Sequence, residues 1–540
     1  MVLARNILDP KGRSVGIRIC LYILILCLLS LFCSISQANE LVNLNLHNEV
    51  YAFIKRLRAK NLIENGPYNT QPLTRREATE ALIEVSGKYL SGQIELTNIE
   101  EKHLRRYQWL FGDEIELVRP GLLPPTKKKH TIAVESKNYT VDFDLTAKQE
   151  FARVCLVSEK QQSTSITSVD FAFSAKLGKH LGIASILHDR LLLGSGSYNP
   201  YKNEASHDLK GESRTLNAME GYAILDLSWL SLQWGMDDIW WGPGWHGALM
   251  ISDNSAPKGT LKLSGIYGPL KFTYLTSILR EDTPSYQPKY MSAHRLEFLP
   301  HRGIGIGLNE VMIFADRYEL RYLNPFIIFY TLQTEDLKNN SLLGIDLDIT
   351  LIPSIELYAE VMLDDFQTPE GWDAFRYWNS KYGILTGAYW TDPFGVENTD
   401  VRFEYAFVNQ YAYTHKYEIT RYTYQDFVIG HWMGTDADDM WINIEHWFTD
   451  RLRASLAYER ERQGEGDVTE GYTPETPKYW EFLSGVTEST HSVSLGLSYN
   501  SIGRYSAGAK YTYSQIRNVE HEPGIDGREH QLLVMGNYRF

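Results

Sequence analysis

The stretch "MDDIWWGPGWHGALMISDNSAP" (residues 236–257) sets Trp240, Trp241 and Trp245 within six positions, beside Asp237, Asp238, Asp253 and Asn254. Indole rings offer flat apolar faces with a polar edge. A sugar offers patches of C–H ringed by hydroxyls. Stacking on the rings, with the carboxylates and the amide as hydrogen-bond partners, would suit a saccharide. An interfacial aromatic belt or a packed loop is the plainer alternative. Gly242, Pro243 and Gly244 put the cluster in a turn rather than on a periodic element. A similar combination recurs in "GHWMGTDADDMW" (residues 430–441), where Trp432 and Trp441 surround Asp436, Asp438 and Asp439. Its D-x-D-D spacing resembles oxygen-rich cation ligation. No complete calcium-loop pattern is present, so neither a metal nor another cofactor is expected. No G-x-S-x-G, H-E-x-x-H, Cys/His pair or phosphate-binding glycine loop occurs. No catalytic residue is therefore assigned and no enzyme is expected, with a glycan hydrolase as the minor alternative. A net charge of −14 argues against nucleic-acid partners.

The elements around these residues alternate with period two from about residue 131. Before the cluster, "GYAILDLSWLSLQWGM" reads as a strand; after it, "GTLKLSGIYGPLKFTYLTSI" reads as two more. In "HSVSLGLSYN", Val493, Leu495, Leu497 and Tyr499 share a face. In "IELYAEVML", Ile355, Leu357, Ala359, Val361 and Leu363 oppose Glu356 and Glu360. In "VRFEYAF", Val401, Phe403, Tyr405 and Phe407 oppose Arg402 and Glu404. An open sandwich would alternate too. Here the apolar face is rich in Tyr and Phe and the other face is charged, which suits lipid outside and water inside. The span allows roughly 16–18 strands of a transmembrane barrel. In "DRYELRYLNP", Tyr318, Leu320 and Tyr322 would then face lipid. Arg295, Glu297, Arg317, Glu319, Arg321, Glu356, Glu360, Arg402 and Glu404 would line the lumen. Such mixed charges either pair and fill the lumen or select a charged solute, as in a channel or porin.

The ends of the chain fit an envelope protein. Arg13 and Arg18 precede an apolar run over 19–35, and Ala38 closes a small-residue site; residues 1–38 read as a secretory signal peptide. Of four cysteines only Cys155 lies beyond it, so no intramolecular disulfide is expected. The composition includes 34 Tyr, 13 Trp and 40 Gly. The final "HQLLVMGNYRF" alternates and ends on Phe540, similar to the closing strand of bacterial outer-membrane proteins. Residues 39–120 read differently, as a small periplasmic helical module. Val50, Phe53, Ile54 and Leu57 share one helical face, and Thr74 with Glu77 forms a capping box. Its first helices resemble S-layer-homology-like segments; a plug is the other reading. The Pro-rich, then basic stretch 119–130 reads as a linker, and residues 131–540 as the outer-membrane barrel.

Taken in order, "DDIWWGPGW…DNSAP", "HRLEFLPHRGIGIGLNEVMIF", "YELRYLNPF", "LDDF", "YWTDPFG" and "GHWMGTDADDMW" resemble the Wzi-type capsule-assembly family of outer-membrane proteins. The likeness spans roughly residues 234–441. It implies an all-β transmembrane barrel of antiparallel strands, monomeric, with N-terminal helices near its periplasmic mouth. It also implies a lectin-like role, attaching or organising capsular or other surface polysaccharide, without chemistry or export of its own. Outer-membrane lipid and the barrel-assembly machinery would be its other partners.

Overall fold

The computed structural model describes residues 39–64, 69–119, 121–122, 130–136, 139–156, 162–194, 199–201, 204–208, 213–279, 288–333, 338–365, 380–470, 479, 481–501 and 505–540. The expected signal peptide and most of the linker lie outside these residues. Four helices come first: α1 (Val50–Ala59), α2 (Arg75–Leu90), α3 (Asn98–Leu110) and α4 (Gly112–Val118). The apolar stripe of α1 is buried as its spacing predicts, with Val50, Phe53, Ile54 and Leu57 packed against Leu82, Val85, Leu104 and Tyr107. The capping box of Thr74 and Glu77 starts α2, and an unanticipated second one, Thr97 with Glu100, starts α3.

Eighteen antiparallel strands close a barrel. They are β1 (Tyr139–Leu156), β2 (Gln162–Leu177), β3 (Leu181–Leu193), β4 (Ser213–Asp226), β5 (Leu230–Asp237) and β6 (Lys258–Tyr267). Next come β7 (Leu270–Leu279), β8 (Lys289–His301), β9 (Ile304–Ala315), β10 (Asn340–Ile352), β11 (Ile355–Asp365) and β12 (Lys381–Thr391). The last six are β13 (Thr399–Val408), β14 (Ala437–Trp447), β15 (Leu452–Gln463), β16 (Glu488–Asn500), β17 (Tyr505–Arg517) and β18 (Gly527–Arg539). β18 pairs with β1 from Glu529 opposite Leu156 to Arg539 opposite Thr146, and Phe540 N donates to Leu145 O at 3.0 Å. The segment Ile132–Ser136 continues this seam by pairing with the start of β1. Among the described residues, no helix is long and apolar enough to cross a membrane.

At one end of the barrel the connections are tight, such as those between β6 and β7 and between β8 and β9. At the other end they are long, including 238–257, 316–339 and 409–436. Outer-membrane barrels keep short turns in the periplasm and long loops outside. The helices sit at the short-turn mouth. Arg56 of α1 meets Asp400 (2.5 Å), Asp392 (2.5 Å) and Glu100 (2.9 Å), and Lys271 reaches Glu77 at 2.6 Å.

Two sequence expectations need correction. "GYAILDLSWLSLQWGM" is not one strand: it ends β4, turns through residues 227–229 and begins β5. Arg317, Glu319 and Arg321 do not line the lumen. Residues 316–324 leave the wall, with a single 3₁₀ turn at Leu320–Leu323, and Tyr322 is the buried residue there. The alternation of that stretch comes from a loop that happens to carry a charge at every second position.

Candidate functional site

Residues 238–257 leave the long-loop end of β5 and fold into the lumen instead of over the rim. There Trp240–Trp241 forms a two-residue strand against Thr70–Gln71 of the N-terminal segment, Thr70 opposite Trp241. Gly242 N donates to Asn69 O at 3.0 Å and Trp241 N to Ile251 O at 2.9 Å. A chain entering from the periplasmic mouth and one entering from outside thus meet inside the barrel. Gly242 sits at φ 127°, and a Cβ there would fall 2.2 Å from a carboxylate oxygen of Glu360, so only glycine fits this approach.

The inward carboxylates explain the approach. Glu360 accepts from Gly244 N (3.0 Å) and Leu249 N (2.9 Å). Glu404 accepts from Trp245 N (2.7 Å), His246 N (3.0 Å), Gly247 N (3.0 Å) and the Tyr358 hydroxyl (2.7 Å). Arg402 lies 4.1 Å from the Trp245 ring centroid, and Lys55 of α1 lies 5.4 Å from it while donating to Pro243 O at 2.8 Å. Arg295 pairs with Asp346 and donates to Thr70 Oγ1 at 2.9 Å. Glu297 accepts from Asn69 N (2.6 Å) and Thr70 Oγ1 (2.7 Å). Arg58 reaches Asp348 at 2.5 Å. Arg295, Glu297, Glu356, Glu360, Arg402 and Glu404 do face the lumen as expected, and all are buried. They hold the fill of the lumen.

The second tryptophan segment interlocks with the first. Tyr413 OH donates to Leu249 O (2.7 Å), Tyr422 OH to Met250 O (2.6 Å) and Trp432 Nε1 to His246 O (3.1 Å). Asn254 Nδ2 donates to Val428 O at 2.9 Å. Trp241 is 1% exposed and belongs to the apolar core these loops share with β7–β14. It has no face to offer a ligand. Trp240, Trp245 and Trp432 are part-exposed. Asp237 is buried against Asn43 and Gln233. Asp238 is held toward its neutral form, first by burial and then by Glu220. Asp253 lies 3.5 Å from His47.

Asp436 and Asp438 do not join the tryptophans. Asp436 is buried, accepting from Ser484 Oγ (2.5 Å) and Gly466 N (2.9 Å). Asp438 lies on the outer face of β14, paired with Arg462 at 2.6 Å. Sequence reasoning missed Lys55, Arg56 and Arg58, although three bases within four positions of an amphipathic helix were a signal. It also missed His246, Tyr413 and His431, whose roles depend on distant partners.

Along β15–β17 most lumen-facing side chains are part-exposed. His246 stacks on Trp441 (centroids 4.7 Å apart, planes within 1°) and meets Glu459 at 3.1 Å. Burial works against a charge on His246, but the hydrogen bond to Glu459 outweighs it and raises the imidazole above its usual range. With Asp439, these residues bring three ligand atoms within 4.8 Å of one another, a spacing that a cation could share. Facing them, β16 and β17 present paired hydroxyls, Ser492 with Ser514 (2.8 Å) and Ser494 with Thr512 (2.9 Å). A polar arc beside tryptophan edges is chemically fit for hydroxylated ligands.

Residues 158–530, well over half of the chain, match the family model described as capsule assembly protein Wzi. Among solved structures, the chain is similar to Wzi of Escherichia coli, described as an outer membrane protein involved in group 1 capsule assembly and a carbohydrate-binding β-barrel. That likeness has a TM-score of 0.58 at 16% identity and covers 92% of this chain and 99% of that chain, showing a shared fold. The chain is also similar to OprD of Pseudomonas aeruginosa, with a TM-score of 0.42, 12% identity, and 74% of this chain and 94% of that one covered. No curated protein matches the sequence.

Proposed function

The chain belongs to the capsule assembly protein Wzi family, and on that premise we propose that it is a lectin-like barrel that retains surface polysaccharide at the outer membrane without transforming it. The observation that carries this is the interlock of 238–257 with 409–436 inside the lumen, fixed by Glu360 and Glu404. A channel needs that space open. A binding protein gains from it a rigid floor, because a preorganised surface loses little freedom when a flexible glycan settles on it. Trp432, Trp245 and Trp240 would supply ring edges or faces. The hydroxyls of β16 and β17, with Lys510 and Glu459, would supply polar contacts. To the described residues lining this part of the lumen we assign roles in binding and none in chemistry.

The test is glycan retention. Cells with and without the gene are separated into cell-bound and released polysaccharide, with total synthesis measured alongside. A shift to released material at constant synthesis supports anchoring. No shift, together with a steady current from the purified barrel in a planar bilayer, would replace this reading by a channel.

A further inference from the structure

The outer face of the barrel is not uniform at its extracellular rim. On β15–β18 and the adjoining β1 it carries a basic band above an apolar one. Arg462 stands opposite Ser489, and Ser489 opposite Arg517. Arg460 stands in the row of His491, Gln515 and Arg528. Arg153 stands opposite Leu532. The same faces carry Val493, Leu495, Leu532 and Val534, each between 41% and 56% exposed, so this is the lipid side. Arg153, Arg460, Arg462, Arg517 and Arg528 all lie within three residues of the extracellular end of their strands. Two to four residues deeper, the outward positions become Tyr458, Tyr513, Val493 and Phe151.

Height identifies the environment. Three residues of a strand tilted about 45° rise roughly 7 Å. The headgroup layer above the hydrocarbon is about 5–7 Å deep. The guanidinium groups therefore stand at headgroup level, on top of an aromatic girdle. On the neighbouring β14, Asp438 lies at that height, fully buried beneath Arg462 (2.6 Å) and Arg460 (3.4 Å). On the opposite arc, the outward residues at the same level are Ile278, Tyr290, Phe314 and Tyr382. On the strands themselves the basic side chains at this level are confined to one side; the loop after β9 carries Arg317 and Arg321, both beside Glu319.

We propose that this arc is a binding site for the phosphate-bearing headgroup of an outer-leaflet glycolipid. Arginine forks match phosphate oxygens in pairs, and Asp438 aligns two of the forks. The acyl chains would run down Val493, Leu495, Leu532 and Phe151. A free anion could use only the basic band; a lipid uses both bands. Such a contact would fix the height and tilt of the barrel in its leaflet, independently of any glycan held by the lumen.

The test is native mass spectrometry of the full-length barrel in detergent, titrated with lipid A bearing two phosphates, with its dephosphorylated form and with inorganic phosphate. The doubly phosphorylated lipid is expected to bind about tenfold or more tighter than the dephosphorylated one, and inorganic phosphate should not displace it. The triple variant Arg153→Gln, Arg517→Gln, Arg528→Gln is expected to lose at least about tenfold, and the matching Lys triple to fall between it and the wild type, because an ammonium keeps the charge but not the fork. Both triples are to show the heat-dependent migration of the folded barrel. Equal binding of the two lipid forms by the wild type would overturn the proposal, as would a folded Gln triple that binds like the wild type. Displacement by inorganic phosphate would assign the site to free anions. Loss of acidic polysaccharide rather than lipid from the Gln triple would assign it to the glycan.

Discussion

Glu404→Ala tests whether the lumen is closed by the inner loop or merely narrowed by it. One carboxylate accepts four hydrogen bonds, from Trp245 N, His246 N, Gly247 N and the Tyr358 hydroxyl, at 2.7–3.0 Å. Removing it leaves the ladder of β13 intact but orphans those buried donors. Each orphan costs about 1–3 kcal/mol. Even at the low end the sum is about 4 kcal/mol, enough to shift a docked-to-undocked equilibrium by roughly a thousandfold. Glu360 still holds Gly244 and Leu249, so residues 245–247 should loosen first. The assay is single-channel recording in a planar bilayer, paired with protease cleavage of the loop. The wild type should be nearly silent and protected. The alanine variant should show open bursts and cleavage near 245–247 while the barrel still migrates as folded. Glu404→Gln keeps one oxygen acceptor and should fall between them. An alanine variant as silent and as protected as the wild type would refute the reasoning.

Three further outcomes are expected. Trp241→Ala, at a site 1% exposed in the shared core, should cost about 3–5 kcal/mol and lower the temperature at which the folded band is lost, whereas Trp432→Ala, at a part-exposed site, should lower it less and raise released glycan more. Arg56→Ala strands Asp400 and leaves Asp392 and Glu100 to Lys60 alone; a loss of about 3–5 kcal/mol should appear as faster protease cleavage of the helical module with the barrel intact. His415 and His431 are lowered to about 4 and about 3, chiefly by burial, below the ordinary histidine value. Their neutral forms therefore favour docking of residues 409–436 above about pH 6.5, and that contribution fades as pH falls toward those values. At pH 5 the loss is about 2 kcal/mol for each, so loop cleavage should rise between pH 6.5 and 5 in the wild type and less in the double Gln variant.

Much of the wall was legible because lipid and lumen impose opposite chemistry on alternate residues. Val493, Leu495 and Leu497 face out and Arg402 and Glu404 face in, as the pattern requires. The terminal strand was legible for the same reason. What filled the lumen was not. Glu360 and Glu404 read as channel lining because their partners, backbone amides of 244–249, lie more than a hundred residues away. Nothing local tells a solvated carboxylate from one that holds a loop. Asp438 and Asp436 looked like one acidic cluster with Trp432, but a strand begins at Ala437 and sends Asp438 outward, while Asp436 at φ 56° turns back into the loop.

His294 and Glu310 stand opposite each other on the lipid side of β8 and β9, 2.9 Å apart. A polar, ionisable pair facing hydrocarbon is costly unless covered. The loop after β9 folds back and covers it. Phe329 packs 4.6 Å from the His294 ring, and Glu310 accepts from Phe329 N (2.8 Å) and Tyr330 N (2.6 Å). Phe326 stacks on Phe272, seven residues below the extracellular end of β7, so the loop descends well into the belt. Irregular chain survives at that depth only where its backbone is satisfied. Tyr322, Asn324, Phe326 and Ile327 each donate their N–H within the loop. Leu320, Phe326 and Ile328 then point outward at 61–83% exposure and continue the apolar surface of the wall. The charges beside them belong at the rim, because a loop descending the outside can carry Arg317 and Arg321 only where headgroups or water meet them.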